Sequence, residues 1–214
     1  MPLGGVIIKI LVACEESQRV TIELRNLGHE AYSCDIISCS GGHSEWHLQQ
    51  DVIPLLKEKW DMIIAFPPCT YMTNAGACRM YPKKGVIDEE RLALAMEAKA
   101  FFLSILNADC PKIAIENPRP LKIVGLPKET QRIQPYMFGE PYTKLTYLWL
   151  KGLPKLQPTN IIQGEINPFV NAGSKTANGS RRKKTGCKSS AIERSKTFIG
   201  IAKAMAEQWA GQNV

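Results

Sequence analysis

Short apolar runs rich in β-branched residues alternate along this chain with stretches of helical periodicity, and that alternation restricts the fold more than any other feature. Residues 6–13, VIIKILVA, run into the polar CEESQ, after which Val20, Leu24 and Leu27 recur at helical spacing until Gly28. HEAYSCDI forms a second run ending at Asp35, followed by the turn-rich SCSGGHSEW and a shorter helical pattern through Val52, Leu55 and Leu56. WDMIIAF is a third, closed by Pro67 and Pro68, which cannot continue a central ladder. Residues 88–107 give the clearest helix, with strong helix formers throughout and Leu92, Ala95, Met96, Phe102 and Leu106 on its core face. KIAIENPRP is a further strand with a polar, proline-broken tip, and SKTFIGIAKAMAEQWA a closing helix that offers Ile199, Ala202, Met205 and Ala206 for packing. Strands alternating with helices predict a mostly parallel α/β sheet, and ligands of such sheets bind outside the carboxyl ends of the strands. Glu15, Asp35, Cys69 and Glu116 should therefore converge on one edge.

With 214 residues, 44% of them hydrophobic and 22% charged, the chain reads as one main domain over 1–214. Its composition changes from Pro154. Residues 154–194 have little periodicity, many turn formers and a basic cluster of Lys175, Arg181, Arg182, Lys183, Lys184 and Lys188, so they read as a loop-like basic insertion suited to phosphate neutralisation. A net charge of +7 and a pI near 9.0 likewise favour a polyanionic partner. The seven cysteines lack the dense spacing of a secreted disulfide scaffold and read as reduced thiols of a cytoplasmic protein. VIIKILVA is too short to cross a membrane, and no membrane role is expected.

Cys69 directly follows a strand, which exposes its sulfur at the site edge, whereas Cys34 and Cys110 lie in apolar runs where a small buried thiol is usual. Glu116 ends a neighbouring strand. A carboxyl beside a thiol suits covalent attack on a ring with proton management at an adjacent nitrogen. Cys34, Cys39, His43 and His47 are close in sequence but lack the separation between ligand pairs that zinc sites show, so no metal is expected.

AFPPCTYM resembles the Pro-Cys catalytic loop of the DNA cytosine-5 methyltransferase family, and IENPRP resembles that family's Glu-Asn motif on the next strand, in matching order. RNLGHEAYSCDI is similar to the family's second strand and QQDVIPL to its adenine-holding acidic segment, so the resemblance runs from Ile10 to Ala206. Short members with this layout resemble those of phages and prophages.

The resemblance implies a Rossmann-like S-adenosylmethionine-dependent methyltransferase sheet, with DNA as partner and S-adenosylmethionine as cofactor. It implies that Asp35 binds the ribose hydroxyls and Asp51 the adenine amino group. Cys14, Glu15 and Ser17 of the first loop, and Pro67 before the cysteine, fall at the cofactor. Cys69 would be the nucleophile, Glu116 the partner of the base's ring nitrogen, and Lys144 the stand-in for an arginine that grips the base. Three differences from the family pattern stand out. The first loop, ACEESQRV, has no glycine, Thr70 follows the cysteine where glutamine is common, and Lys144 replaces the arginine. Residues 154–194 occupy the place of the family's target-recognition region and are short for reading base edges. The same chemistry on RNA or on a free pyrimidine nucleotide, or a catalytically silent cofactor- or nucleic-acid-binding protein, are the rival readings.

Overall fold

A computed structural model describes residues 6–169 and 195–211. The apolar runs become strands β1 (Lys9–Ala13), β2 (Glu30–Asp35), β4 (Met62–Ala65) and β5 (Ile113–Pro118), interleaved with helices α1 (Arg19–Asn26), α2 (Val52–Leu55), α3 (Ala77–Met80) and α4 (Glu89–Leu106). Four very short strands escape the sequence pattern: β3 (His47–Gln49), β6 (Gln131–Ile133), β7 (Tyr142–Thr143) and β9 (Asn167–Pro168). Strand β8 (Thr146–Lys151) and the closing helix α5 (Ile199–Ala210) complete the described elements.

The main sheet has seven strands in the order β3-β2-β1-β4-β5-β8-β6. Strands β1 to β5 pair in parallel, and β8 runs antiparallel to both β5 and β6. This is the mostly parallel α/β sheet that the strand–helix alternation predicts, with the Rossmann-like order that the resemblance implies. The chain lays β2 and β3 to one side of β1, then returns to place β4 on the other, so the strand order reverses between β1 and β4. A crevice opens at such a reversal, outside the carboxyl ends of the strands.

Alternation along each buried strand supplies two cores. Leu11, Ala13, Ile63, Ala65, Ile113 and Ile115 face α2 and α4, with Phe102 and Ile105 packed against them. Ile10, Val12, Met62, Ile64 and Ala114 face α1 and α5, where Leu24, Met205 and Trp209 fill the layer. Two of the expected core residues lie elsewhere: Met96 is 36% exposed and Ile199 is 49% exposed. The first strand also starts later than its apolar run, because Val6 and Ile7 project into solvent before β1 pairs.

The expectation of a loose excursion from residue 154 is corrected for its first part. Leu156 is buried and exchanges two hydrogen bonds with the Gln131 amide, its N–H donating at 2.8 Å and its carbonyl accepting at 2.7 Å. Trp209 Nε1 donates to the Pro154 carbonyl at 2.9 Å, and β9 pairs with β7. Phe169 packs between Tyr142 and Phe198. The basic cluster Lys175 to Lys188 lies outside the described residues. Among the described residues, no helix is long and apolar enough to cross a membrane.

Candidate active site

A cavity of about 420 Å³ opens at the reversal of strand order. Asp35 and Asp51, from the ends of β2 and the segment before α2, line one side; Pro68 and Tyr71, which bracket Cys69, line another; Leu94 and Phe101 of α4 form a wall. A mostly apolar pocket of this size with a few placed polar groups suits a nucleoside-sized ligand. Each carboxylate also braces backbone. Asp51 accepts from the Ile53 N–H at 3.0 Å as the N-cap of α2, and Asp35 from the Ile37 N–H at 3.3 Å.

The first loop reaches the cavity without a glycine because Cys14 itself takes the left-handed backbone, at φ 59°. A non-glycine residue in that region costs roughly 1–2 kcal/mol, so the turn is held by its surroundings. Gln18 also has positive φ, at 57°, and is fully buried. Its Nε2 donates to Ser33 Oγ at 3.1 Å and the His43 carbonyl at 2.8 Å, while its Oε1 accepts from the His43 N–H at 3.1 Å. Gly41 is required opposite it, since a Cβ there would stand 2.6 Å from Gln18 Cβ. The loop after β2 is thereby stitched to the loop after β1, at the cavity.

Glu15 and Ser17 do not line the cavity, contrary to the expectation for the first loop. Glu15 is buried beneath α1, where its carboxylate accepts from the Val20 N–H at 2.7 Å, the Thr21 N–H at 3.2 Å and the Thr21 hydroxyl at 2.7 Å. It satisfies orphan donors at the helix start rather than a ligand. Burial still outweighs those bonds and raises its carboxyl from 4.5 to about 7. A folded value above the unfolded one means the resulting stabilisation is complete below the unfolded value and is lost as pH rises through about 7. The melting temperature should thus fall between about pH 5 and about pH 8, and Glu15→Gln should flatten that decline. Thermal melts of both proteins across the window check this.

The cavity thiols are chemically quiet. Cys14 is driven far above the usual thiol range, by burial first and then by Asp35 and Cys34, and burial pushes Cys34 up to about 11. The thiol donates to the Gln50 carbonyl at 3.4 Å. His47 is separately engaged, Nδ1 at 2.9 Å from Ser33 Oγ and Nε2 at 2.9 Å from the Ile37 carbonyl, and His43 stacks on Trp46. No group of three His, Cys, Asp or Glu side chains able to hold a metal occurs among the described residues.

Cys69 sits half-buried just beyond β4. Its loop is pinned by Asn117, fully buried on β5, whose Nδ2 donates to the Pro67 carbonyl at 3.0 Å while its Oδ1 has no partner. Pro67 is therefore a structural contact, and its neighbour Pro68 is the proline that reaches the cavity. Glu116 precedes Asn117 and pairs in register with Leu148. Because β8 is antiparallel, its start lies at the carboxyl ends of the parallel strands, which brings Lys144 within electrostatic reach of Glu116 and Cys69. Thr146, beside Glu116, donates its hydroxyl to the Lys144 carbonyl at 3.0 Å. Lys144 Nζ also stands 5.9 Å from the Phe169 ring centre and 5.8 Å from that of Phe198.

Charge ties the three groups together. Burial raises the Cys69 thiol, the Glu116 carboxylate raises it further, and the Lys144 ammonium opposes both. Burial also raises Glu116, against the pull of Lys144 and Thr146. A thiol, a carboxyl that burial shifts upward and a cation thus share one edge, beside a cavity whose walls flank the thiol. Arg91, at the start of α4, is a residue that the sequence pattern did not single out, since its contacts are with a loop some twenty positions earlier.

No family model matches the chain, and no curated protein matches it in sequence. Among solved structures, it is similar to a DNA modification methyltransferase encoded within a prophage of E. coli, at 14% identity and a TM-score of 0.44, over 72% of this chain and 52% of that one. It is also similar to an rRNA methylase from Escherichia coli, at 16% identity and a TM-score of 0.34, over 68% of this chain and 57% of that one. The chain spans a little over half the length of each.

Asp35 gives the first test of the cavity. If the cavity takes S-adenosylmethionine as the resemblance implies, Asp35→Ala should weaken its binding by about tenfold or more, since a hydrogen bond to a charged group contributes about 1.5–3 kcal/mol. Calorimetry on the folded variant checks it.

Proposed function

We propose that this protein transfers a methyl group from S-adenosylmethionine to carbon five of cytosine in DNA, with Cys69 as the nucleophile. The observation that carries the reading is the joining of Cys69, Glu116 and Lys144 at one sheet edge, beside a cavity bordered by Asp35 and Asp51 and reaching Pro68 and Tyr71. The cavity's size, apolar lining and two bordering carboxylates support S-adenosylmethionine as the ligand, with Asp35 toward the ribose and Asp51 toward the adenine in this reading. When bound, S-adenosylmethionine supplies an electrophilic methyl group.

The chain's own residues do the rest. The Cys69 thiol gives up its proton to solvent and the resulting thiolate adds to carbon six of the target base, which makes carbon five electron-rich. Glu116, held toward its protonated form by burial, donates a hydrogen bond to ring nitrogen three, where charge collects as the bond forms. Lys144 balances the anionic thiolate, and also the carboxylate that Glu116 becomes as its proton passes to ring nitrogen three. After carbon five has gained the methyl group, a solvent base takes its proton, ring nitrogen three returns its proton to Glu116, and the restored ring double bond expels the thiolate. Such chemistry requires the base to leave the duplex, and the basic composition of residues 170–194 suits contact with the phosphates around it. In this reading 1–214 is a single methyltransferase domain, and 154–194 serves as a reduced target-recognition segment.

The test is incubation with labelled S-adenosylmethionine and, separately, DNA, RNA and cytidine nucleotides, followed by digestion to nucleosides. Label should appear as 5-methylcytosine from DNA. Label in RNA or nucleotides alone overturns the DNA assignment, and cofactor binding without transfer to any of them overturns the enzymatic one.

A further inference from the structure

The loop that carries Cys69 is held from two sides. Asn117 holds its start, as described. From the other side, Arg91 of α4 reaches down with Nη2 donating to the Thr70 carbonyl at 2.9 Å, one residue beyond the thiol. The guanidinium carbon lies 5.1 Å from the ring centre of Tyr71, over its face. Gly76 closes the nest: a Cβ there would stand 2.8 Å from Arg91 Nη2 and 3.4 Å from the Thr70 carbonyl oxygen. Arg91 Nε is buried with no hydrogen-bond partner. Leaving a guanidinium donor unpaired is unfavourable, so its geometry is set by the hold on Thr70 and Tyr71 rather than by its own satisfaction.

Arg91 is in turn fixed at its root. Its backbone N–H donates to Asp88 Oδ1 at 2.9 Å, the N-cap of α4. One turn further along the same helix, Leu94 lines the cavity that Tyr71 and Pro68 also line. One helix thus shapes the cavity wall and, through Arg91, grips the residues flanking the thiol.

We infer that Arg91 is a positioning residue that fixes the Cys69 loop against α4 and so sets the placement of the thiol relative to the cavity. The inference rests on the reading of Cys69 as the reactive thiol. The charges acting on that thiol are those of Glu116 and Lys144, so Arg91 works through geometry. A planar fork that both stacks and donates is needed, which a lysine ammonium does not provide.

Three variants test it. Arg91→Met removes the donor, Arg91→Lys keeps the charge without the fork, and Gly76→Ala keeps the arginine but wedges it away from Thr70. The first readout is the rate of iodoacetamide alkylation at Cys69, mapped by mass spectrometry, with Cys39 in a separate loop as internal control. All three should raise the Cys69 rate by roughly threefold or more relative to Cys39, because the freed loop exposes the thiol more often. The second readout is methyl transfer, where kcat should fall by about tenfold or more with KM for S-adenosylmethionine unchanged, since small misplacements of a reacting group cost that much. A Cys69 alkylation rate equal to that of the parent protein in Arg91→Met and Gly76→Ala overturns the inference. So does full recovery of kcat by Arg91→Lys, which would make charge the operative property. If the parent protein transfers no methyl group yet the variants free the thiol, the methyltransferase reading fails and Arg91's hold on the loop stands.

Discussion

Cys69→Ser should abolish covalent capture of DNA in which every cytosine is replaced by 5-fluorocytosine. In the proposed mechanism Cys69 of the parent protein should attack carbon six and carbon five should gain its methyl group, while the fluorine there would block the proton loss that releases the thiolate. The adduct should accumulate and survive denaturation. A serine hydroxyl is far less ionised and less nucleophilic than a thiol near neutral pH, so the variant should lose methyl transfer by about 10³-fold or more. Binding of S-adenosylmethionine should persist, because Pro68 and Tyr71, and not the thiol, line the cavity. Denaturing gels and peptide mapping check this. An adduct mapping to Cys78, the exposed thiol of α3, would remove Cys69 from the mechanism.

The positions of Asp35, Cys69 and Glu116 could be read from the sequence because each sits where a β-branched run meets polar or proline-broken residues, and a parallel sheet gathers such ends at one edge. The strands that escaped notice are two or three residues long and show no period at all. Met96 was misplaced for a different reason. Helix α4 carries apolar residues round much of its circumference, since Phe102 and Ile105 serve the core while Leu94 and Phe101 serve the cavity. No single stripe then marks the core face. Glu15 illustrates an ambiguity of chemistry: a carboxylate after a strand can meet a ligand or the start of the next helix, and only the fold shows its oxygens on the N–H groups of Val20 and Thr21. The missing glycine was visible, but its remedy was not, because a left-handed Cys14 leaves no mark in composition. Arg91 was equally silent, as a helix arginine is ordinarily a solvated one.

Glu116→Gln should move two measurements in opposite directions. Methyl transfer should fall by about 10²–10³-fold, as for removal of a group that meets charge developing in the transition state. A glutamine amide still donates a hydrogen bond to ring nitrogen three, but it cannot hand over a proton as charge grows there. Alkylation of Cys69 by iodoacetamide should instead become faster near pH 8. The Glu116 carboxylate raises the thiol, so its removal lowers the thiol toward the ordinary range and increases the thiolate fraction at a given pH. Lys144→Met supplies the counterpart. Its ammonium pulls the thiol down, and without it the thiol should rise and alkylate more slowly. Global unfolding speeds alkylation in every variant, so opposite signs for Glu116→Gln and Lys144→Met, each in a protein that melts cooperatively, isolate the electrostatic coupling. A Glu116→Gln protein that keeps its methyl-transfer rate would make the carboxyl a bystander, while one whose thiol pH profile is unmoved would place it beyond electrostatic reach of Cys69. The coupling matters because, in the proposed mechanism, burial and Glu116 raise the thiol of the free site, and a pyrimidine that engaged Glu116 at its ring nitrogen would ease one of those restraints as carbon six came within reach.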